Sequence, residues 1–376
     1  MNSDKKIIPP IAEKRITREH YHGQELIDNY NWIRDENWQE VLHSPSILKK
    51  EIRDYIDKEN KWTDSQLSFL SSERNKIFNE IKGRIKEEDR SLPQKDGPWF
   101  YFSETKKDEQ HSVLRRFKDN SSIENSVIFH NWNEVSKDYD YFKPGGASCS
   151  PDHNLLSWSF DSKGSEFFSI KIKDLKSNKN FNDEVKNTDG NMIWSLDGNG
   201  FYYIRMDNNH RPSSLWFHKI NTQEDEDTEI YNEKDTGFFL SIDETLNRNF
   251  LVLSIHNHET SEIRIINQRK KERELVLFAK RNHGVEYSIE HDRENSRFLI
   301  LTNIDNSIDF KVMETKENLL DQKNWIDFIP HQEGVLITSI SCLQNFILIQ
   351  ELKDGIPRIS SINKKDNFRN IIVFDE

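Results

Sequence analysis

The sequence predicts a mainly β protein that begins with a helical arm and continues as a series of similar β-sheets. Up to Arg84, apolar residues recur at spacings near three and four, as on the buried side of helices. From about Trp99 the pattern changes to short runs of aromatic and β-branched residues separated by turn signals, which indicates strands. Similar turns then return at a nearly constant distance along the chain.

The helical arm is predicted for about Glu36 to Arg84, and residues 1–84 are assigned to the arm as a whole. Within the helical stretch, proline occurs only at Pro45, so the segments after it can continue as helices. The apolar residues at helical spacing are Leu42, Ile52, Tyr55, Ile56, Trp62, Leu67, Leu70, Ile77 and Ile81.

Strands are predicted throughout residues 85–376. Turn signals such as Pro151-Asp152 and Asp197-Gly198 separate the runs. The clearest runs are Trp99–Phe102, Leu155–Trp158, Glu166–Ile170, Phe201–Ile204, Phe250–Leu253, Phe298–Leu301 and Phe346–Ile349.

The strand region contains an internal repeat. A Ser-x-Asp turn begins at Ser150, Ser195 and Ser241, which are 45 and 46 residues apart, and looser counterparts occur at Glu290–Asp292 and Ser339–Ser341. Strand centres mark about six units of 46 to 56 residues. A four-stranded propeller blade takes about 40–50 residues. Residues 85–376 are therefore predicted to form a β-propeller whose blades pack only on their neighbours.

Many short blocks, spread from Ile8 to Phe374, together resemble the prolyl oligopeptidase family of serine peptidases, and in particular its oligopeptidase B branch. No single block is diagnostic, but their order and spacing agree. They are His22-Gly23, Asp28–Asp35, Tyr55 with Glu59-Asn60, Glu80-Ile81, Arg84-Ile85, Gly97 with Tyr101, Ser150–Asp152, Asp161 with Gly164 and Glu166, Trp194 with Asp197-Gly198, Phe201–Tyr203, His210–Pro212, Trp216 with His218, Glu286-Tyr287 with His291, Thr302-Asn303 with Phe310, and Trp325 with Ile329–His331.

The resemblance implies a propeller with a helical arm, and it implies that the catalytic domain of the family is missing from this sequence. In this family the arm packs on a C-terminal α/β-hydrolase domain that holds the catalytic Ser, Asp and His, and a seven-bladed propeller caps the active site. About six blades can be counted here, so we expect an incomplete ring, with Asn370–Phe374 leading towards another blade and the hydrolase domain absent from the sequence. Such a ring would leave two apolar blade faces open.

No catalytic residue can be assigned in this sequence. The family presents its serine in a G-x-S-x-G turn, and the nearest approach, Gly145–Cys149, lacks the closing glycine. Resemblance to oligopeptidase B implies that a complete member would hydrolyse short peptides after Lys or Arg, although the residues present leave a basic or a proline-directed preference open. We expect this chain alone to be inactive.

Three accounts of the chain remain open. A separate chain carrying the last blade and the hydrolase domain could be its partner, or the chain could be the product of a decaying gene. The third is a free-standing propeller that binds peptides or proteins. The arm, whose family partner is the hydrolase domain, argues against this third account.

The composition of the chain limits the classes of partner it can bind and indicates its cellular compartment. A net charge of −12 argues against a nucleic-acid partner, and the chain has neither a signal-peptide pattern nor an apolar run that would span a membrane. Cys149 and Cys342 have no paired spacing and do not suggest a disulfide framework. We therefore expect a cytoplasmic protein.

Two histidine clusters and an acidic run are the candidate ligand sites in the sequence. His256 with His258, and Glu19–His22, each offer two imidazoles but no third ligand at a defined spacing, so no metal site and no cofactor are predicted. The acidic run Glu224–Asp227 with Glu229 lacks the pattern of a calcium loop and is interpreted as a solvated loop.

The charged residues at the start of the resembling region are interpreted as structural. Asp28, Arg34 and Asp35 could be taken for an acid pair with an oxyanion clamp, yet the matching family block is structural. We expect them to anchor the arm through hydrogen bonds and ion pairs. The many aromatic residues follow strand spacing and are predicted to form the core.

Overall fold

The computed structural model of the chain describes residues 8–374, so the first seven residues of the predicted arm and the last two of the predicted propeller lie outside the described part. After one β-hairpin, three helices precede the series of sheets, and the sequence predicts this order of helical arm and strands. Contacts between Cα atoms divide the chain into two compact units. One is Met1–Pro144 with Asp161–Glu166, and the other is Gly145–Phe160 with Phe167–Glu376.

The arm, in the first unit, consists of one β-hairpin and three α-helices, with short 3₁₀ turns between them. The hairpin is formed by β1 (Thr17–Tyr21) and β2 (Gln24–Asp28). The helices are α1 (Trp38–His43), α2 (Lys50–Leu67) and α3 (Ser71–Arg84). None of the helices among residues 8–374 combines the length and the apolar character needed to cross a membrane.

Sheet 1 also belongs to the first unit. Its strands are β3 (Asp89–Arg90), β4 (Gln94–Asp96), β5 (Trp99–Thr105), β6 (Val113–Lys118) and β7 (Val127–Asn131), followed by the short helix α4 (Trp132–Ser136). The last arm helix thus ends at Arg84 and the first strand of sheet 1 begins at Asp89. The change of secondary structure lies at the proposed boundary between arm and propeller, although the contacts group sheet 1 with the arm. That boundary remains a proposal.

Sheets 2 and 3 share one long strand. Sheet 2 contains β8 (Lys143–Cys149), β9 (Leu155–Asp161), β10 (Phe168–Asp174) and the first half of β11 (Lys179–Trp194). Sheet 3 contains the second half of β11 with β12 (Gly200–Met206), β13 (Pro212–Lys219) and β14 (Thr228–Asn232). Asn187 and Gly190, inside β11, have positive φ angles of 56° and 91°, where the strand passes from one sheet to the next.

Sheets 4 to 6 are separate four-stranded antiparallel sheets in chain order. Sheet 4 contains β15 (Phe239–Glu244), β16 (Phe250–His256), β17 (Ser261–Asn267) and β18 (Leu275–Ala279). Sheet 5 contains β19 (Tyr287–Asp292), β20 (Arg297–Thr302), β21 (Lys311–Lys316) and β22 (Ile326–Ile329). Sheet 6 contains β23 (Val335–Cys342), β24 (Phe346–Lys353), β25 (Ile356–Asn363) and β26 (Arg369–Ile372). The six predicted repeat units therefore correspond to six sheets, and the mainly β propeller prediction is confirmed.

The predicted Ser-x-Asp turn is present in sheets 2 and 3, but in sheet 4 the turn lies at a different position from the predicted one. Ser150 and Ser195 follow the first strands of sheets 2 and 3, and each hydroxyl donates to the Asp two residues later over 2.6 Å. The prediction for Ser241 is wrong, because this residue lies within β15. Thr245 and Asn247 make the equivalent turn in sheet 4, with 3.0 Å between Oγ1 and Oδ1. Thr and Asn provide the same hydrogen bond as Ser and Asp in the other two turns. The turn geometry is therefore kept although the sequence motif is not.

The core of the second unit lies between consecutive sheets. Four apolar clusters each combine residues of two neighbours: sheets 2 and 3, 3 and 4, 4 and 5, and 5 and 6. Leu215 of sheet 3, for example, packs in one cluster with Leu240 and Leu251 of sheet 4. Full burial of such a side chain stabilises the fold by about 1.5–3 kcal/mol. This confirms that these sheets bury their faces against their neighbours.

Close packing in sheet 2 leaves no room for a side chain at position 145. A Cβ added to Gly145 would lie 2.3 Å from Ser159 Oγ and 2.9 Å from Cδ1 of Phe168. The same Oγ accepts from the Gly146 amide and donates to the Gly190 carbonyl. We expect Gly145→Ala to lower the free energy of unfolding by about 1–3 kcal/mol, measured by urea denaturation. Gly83→Ala is the control, because its methyl would meet no atom within 4 Å.

Candidate functional site

The segment nearest to a nucleophile turn is an ordinary strand. Gly145–Cys149 lies in β8, and the Ser148 carbonyl accepts hydrogen bonds from Trp194 Nε1 at 3.0 Å and from Ser157 Oγ at 3.2 Å. A nucleophile elbow is instead a sharp turn from strand to helix. This serine therefore lies in a different geometry from the family's catalytic serine.

The histidine pairs lie on β16 and on the hairpin of the arm. His256 is in β16 and half-buried, and burial lowers its pKa, while His258 is exposed in the following turn. His20 and His22 are exposed at the hairpin of β1 and β2. Among residues 8–374, no three His, Cys, Asp or Glu side chains are grouped as ligands of a metal ion.

The acidic run is only partly a solvated loop. Glu224–Glu226 forms a 3₁₀ turn in which Gln223 and Glu226 make reciprocal capping hydrogen bonds. The interpretation is wrong for Asp227, whose side chain is 0% exposed and contacts His218. A buried carboxylate needs partners to offset its desolvation, and here they come from neighbouring strands.

Asp35 joins two segments of the arm. It is 4% exposed and accepts a hydrogen bond from the Lys49 amide at 2.8 Å, with the Lys49 ammonium at 3.8 Å. Asp28 accepts from the Tyr30 amide at 2.7 Å, and the guanidinium of Arg34 lies over the ring of Trp38. These contacts are local and structural.

A buried polar cluster connects the strands of sheets 2 and 3. The His218 cluster consists of His218, Asp183, Asp227, Tyr203 and Arg205. His218 is 0% exposed, with Nδ1 at 2.7 Å from Asp227 and Nε2 at 3.2 Å from Asp183. The Tyr203 hydroxyl donates to Asp227 at 2.8 Å and accepts from Arg205 at 2.8 Å.

The His218 cluster favours a protonated imidazole. Burial by itself lowers the pKa of His218, but the hydrogen bonds and charges of Asp227 and Asp183 outweigh burial, so its pKa is raised above the ordinary 6.5. Both ring nitrogens can then donate to carboxylates. Sequence reasoning named His218 only as part of a resembling block. Its two acids lie nine and 35 residues away, and no local pattern joins them.

Ion pairs also connect sheets 3 and 4. Arg281, which follows β18, binds Glu233 at 2.6 Å and Glu262 at 3.0 Å, and its guanidinium lies 4.1 Å from the ring centre of Phe238. Burial acts to raise the pKa of Glu233, but its hydrogen bonds to Asp235, Arg281 and Tyr231 outweigh burial and lower the pKa. Arg281 thus connects Glu233, which follows the last strand of sheet 3, with Glu262 of sheet 4.

A second kind of ion pair occurs at the same boundary and again at the boundary of sheets 5 and 6. An acid of the first turn in one sheet meets a base in the loop between the third and fourth strands of the next sheet. Asp197 of sheet 3 pairs with Arg273 of sheet 4 at 3.0 Å, and Asp292 of sheet 5 pairs with Lys364 of sheet 6 at 2.8 Å. Lys364 also reaches Glu294 at 3.1 Å.

One carboxylate at the boundary of sheets 4 and 5 has a pKa near neutrality. Burial raises the pKa of Glu290 to about 7, although the amides of His291 and Leu246 donate hydrogen bonds to it. The folded state therefore holds a proton that the unfolded chain releases near pH 4.5, and stability falls as pH rises between these values.

We expect Glu290→Gln to remove this pH dependence. The variant should be more stable than the parent at pH 8 by about 1–2 kcal/mol, below the full value of the shift because the side chain is partly exposed. At pH 4 the two proteins should differ little. Urea denaturation across this pH range measures the effect, and Glu286→Gln, one position before β19, is the control. A parallel pH profile for the parent and Glu290→Gln would contradict the prediction.

The side of sheet 6 that faces away from sheet 5 carries a group of apolar residues. Ile347 and Ile349 pack on sheet 5, so the alternating residues of β24 point the other way. We call this side the outer face of sheet 6, formed by Leu336, Phe346, Leu348, Leu352 and Ile359. Phe346 is 42% exposed and the other four are half-buried.

The arm carries a second apolar surface. Ile77, Ile81 and Ile85 follow one another at intervals of four residues along and just after α3, and they are 57%, 57% and 62% exposed. Phe78 beside them is 64% exposed. We call these four residues the α3 stripe. Contiguous exposed apolar residues on one side of a helix are typical of a surface that binds another part of a protein.

These observations define a β-propeller chain with a helical arm and two apolar contact surfaces. Residues 9–375 match the family model described as prolyl oligopeptidase, N-terminal beta-propeller domain. The chain belongs to this family of serine peptidase propeller domains.

Curated relatives agree over nearly the whole chain. Dipeptidyl aminopeptidase BI of Pseudoxanthomonas mexicana is 25% identical over 98% of this chain and 51% of the relative. Protease 2 of Moraxella lacunata is 26% identical over 93% of this chain and 49% of the relative. The chain thus spans about half the length of the curated relatives it matches.

Solved structures share the fold. Oligopeptidase B of Leishmania major superposes with a TM-score of 0.89 at 21% identity, covering 98% of this chain and 54% of that one. Oligopeptidase B of Trypanosoma brucei gives a TM-score of 0.87 at 22% identity, with coverage of 98% and 54%. The match includes the arm as well as the sheets.

Proposed function

We propose that this chain is the arm and propeller part of a serine oligopeptidase that cleaves short peptides after Lys or Arg. The observation that carries the proposal is the match to oligopeptidase B of Leishmania major, which extends over 98% of this chain. A propeller alone is also compatible with a simple binding module, but the helical arm matches together with the sheets. The cytoplasmic location expected from the sequence is part of this proposal.

The chain would control access rather than carry out chemistry. In the proposed enzyme the propeller covers the active site, so that large folded substrates cannot reach it. Acyl transfer requires a positioned nucleophile and an oxyanion hole, and the 376 residues contain no G-x-S-x-G. We therefore propose that the polypeptide of residues 1–376 is inactive by itself.

The two apolar surfaces support the proposal that a further portion of the protein packs on this chain. A following β-sheet would cover the outer face of sheet 6, and a hydrolase domain would cover the α3 stripe. Both could belong to the same polypeptide or to a separate chain. The net charge of −12 is compatible with peptides that have basic side chains, because a negatively charged protein attracts cationic ligands within about one Debye length.

A second candidate reaction differs in where the peptide is cut. The relative from Pseudoxanthomonas mexicana is named a dipeptidyl aminopeptidase. Release of dipeptides from free N-termini by a complete enzyme is therefore the alternative to internal cleavage after Lys or Arg.

The test uses the product of the complete gene and, in parallel, the polypeptide of residues 1–376. An N-terminally blocked Arg-Arg reporter measures cleavage after a basic residue, and the same type of reporter on a free dipeptide measures dipeptide release. We expect the complete product to cleave the blocked reporter and the short polypeptide to cleave neither.

Each outcome of that test decides one element of the proposal. Cleavage of only the unblocked reporter would replace internal cleavage by dipeptide release. Cleavage by the rigorously purified short polypeptide would refute its inactivity. If the complete gene encodes no peptidase, isolation of the tagged protein from its host decides between a partner chain containing G-x-S-x-G and a stand-alone propeller or relic.

A further inference from the structure

A basic cavity lies between sheets 3 and 4. The turn between β11 and β12 forms one wall and the loop between β17 and β18 forms the other, and the cavity measures about 380 Å³. This volume lies in the range of small-molecule sites. Four cationic side chains of the second wall line it: Arg269, Lys270, Lys271 and Arg273.

Most of this positive charge is not neutralised by the protein. Arg273 pairs with Asp197 at 3.0 Å, and its guanidinium stacks 3.8 Å from the ring centre of Phe217. By contrast, no carboxylate among residues 8–374 lies within ion-pair distance of Arg269, Lys270 or Lys271. Glu272 and Glu274 lie on the same loop but form no ion pair with these three cations, which therefore remain available to an anionic ligand.

The cavity is also lined by a tyrosine whose hydroxyl has no hydrogen-bond partner among the described residues. Tyr202 lines it while being only 1% exposed, and its ring packs on Phe217. In the described part of the chain, its hydroxyl makes no hydrogen bond. Burial raises the pKa of Tyr202, so the hydroxyl stays protonated at neutral pH and can donate.

Gln268 adds an acceptor to the same wall. Its Nε2 donates to the Arg248 carbonyl at 3.4 Å, which orients the amide. Its Oε1 is buried and has no hydrogen-bond partner among the described residues. A ligand in this cavity would therefore meet cations and a phenol donor, together with one acceptor that requires a hydroxyl or amine from the ligand.

We propose that this cavity binds a small phosphate ester that carries at least one free hydroxyl group. A phosphate offers nearly two negative charges and three acceptor oxygens, which suits three free cations and a phenol better than a single carboxylate does. The ligand hydroxyl would donate to Gln268. The inference does not rest on the proposed peptidase function.

The cavity has a consequence for the fold. Tyr202 belongs to sheet 3, whereas Gln268 and Lys270 belong to the loop of sheet 4, so a bound phosphate ester would connect the two sheets. A ligand that binds only the folded state stabilises it. Binding should therefore raise the thermal unfolding temperature of the protein.

The test is calorimetric titration of the complete gene product with ribose 5-phosphate, inorganic phosphate and ribose. Ionic strength is held constant, because exposed charges are screened by salt. We expect ribose 5-phosphate to bind more tightly than inorganic phosphate, and ribose to give no heat of binding. Absence of saturable heat with both phosphate probes would overturn the proposal. Equal affinity for the two would overturn its hydroxyl part.

Two variants identify the site. Tyr202→Phe removes one hydroxyl that has no partner in the protein, so we expect unchanged unfolding and about tenfold weaker binding of ribose 5-phosphate, as for a hydrogen bond to a charged group. Lys270→Gln with Lys271→Gln should weaken binding at least as much. Lys186→Gln with Lys234→Gln removes the same charge from exposed positions outside the cavity. If this control weakens binding equally, or Tyr202→Phe leaves it unchanged, the site lies elsewhere and the proposal is wrong.

Discussion

Asp227→Ala is expected to lower the free energy of unfolding by about 3–5 kcal/mol, because removing one partner of a buried charge is strongly destabilising. His218 would keep Asp183 at 3.2 Å but lose its shorter contact of 2.7 Å, and the Tyr203 hydroxyl would lose its acceptor. Urea denaturation followed by tryptophan fluorescence measures the loss.

The neighbouring Asp225 provides a matched control. It lies two residues earlier, in the 3₁₀ turn that Asp227 follows, and is exposed. We expect Asp225→Ala to change the free energy of unfolding by less than about 0.5 kcal/mol, as is usual for surface substitutions. Losses of similar size at both positions would show that the turn itself, and not the contact with His218, determines stability.

The pH profile tests the charge state of His218. Because the folded pKa of His218 is raised above its unfolded value, the stabilisation from its proton is complete below pH 6.5 and is lost as pH rises through the folded pKa. Asp227→Asn keeps an acceptor oxygen but removes the charge. We expect this variant to lose stability mainly below the folded pKa, so that its profile is flatter than that of the parent. An unchanged profile would mean that His218 is neutral.

Lys364→Met is expected to lower the free energy of unfolding by about 2–4 kcal/mol, because the carboxylate of Asp292 would remain buried with one base fewer. Asp292 is 0% exposed, and its other base is Arg297 at 2.9 Å. Methionine keeps the length of the side chain, so the loss reports the charge. The adjacent Lys365→Met is the control, since Lys365 is exposed.

Hydrogen exchange can locate the effect of Lys364→Met. Lys364 belongs to sheet 6 and Asp292 to sheet 5, so the pair holds one sheet on the next. We expect faster exchange of amides in β24 and β25, with sheets 2 and 3 unchanged. Uniformly faster exchange throughout the second unit would contradict a role confined to this boundary. Asp292→Asn combined with Lys364→Met should recover part of the loss, because both charges are then absent.

The internal repeat shows how much of the sheet and turn structure could be predicted from the sequence. Period and turn chemistry gave six sheets, and two of the three predicted turns lie where expected. The prediction for Ser241 was wrong because Thr245 and Asn247 make the same turn with different residue types. Hydrogen-bonding capacity, not residue identity, is repeated along the chain.

Candidate site residues were harder to predict than the fold. The sequence excluded a nucleophile turn and found no defined set of metal ligands. It also interpreted Asp35 as structural, and the structure shows this carboxylate bound to Lys49 within the arm. It did not find the His218 cluster, the pair of Asp292 with Lys364, or the cavity that includes Tyr202. A useful signal was present in part, since Arg269 to Arg273 is a basic loop in an acidic chain.

The sequence by itself determined the helical arm, the strand period, the number of sheets and the family resemblance. These depend on hydrophobic spacing and turn chemistry, which act over a few residues. Only the tertiary structure decided which charges are buried together and which apolar sides remain open. His218 meets Asp183 across 35 residues, and Asp292 meets Lys364 across 72. Such pairs form when one sheet stacks on another, and the energy of a buried charge depends on that packing rather than on its neighbours in the chain.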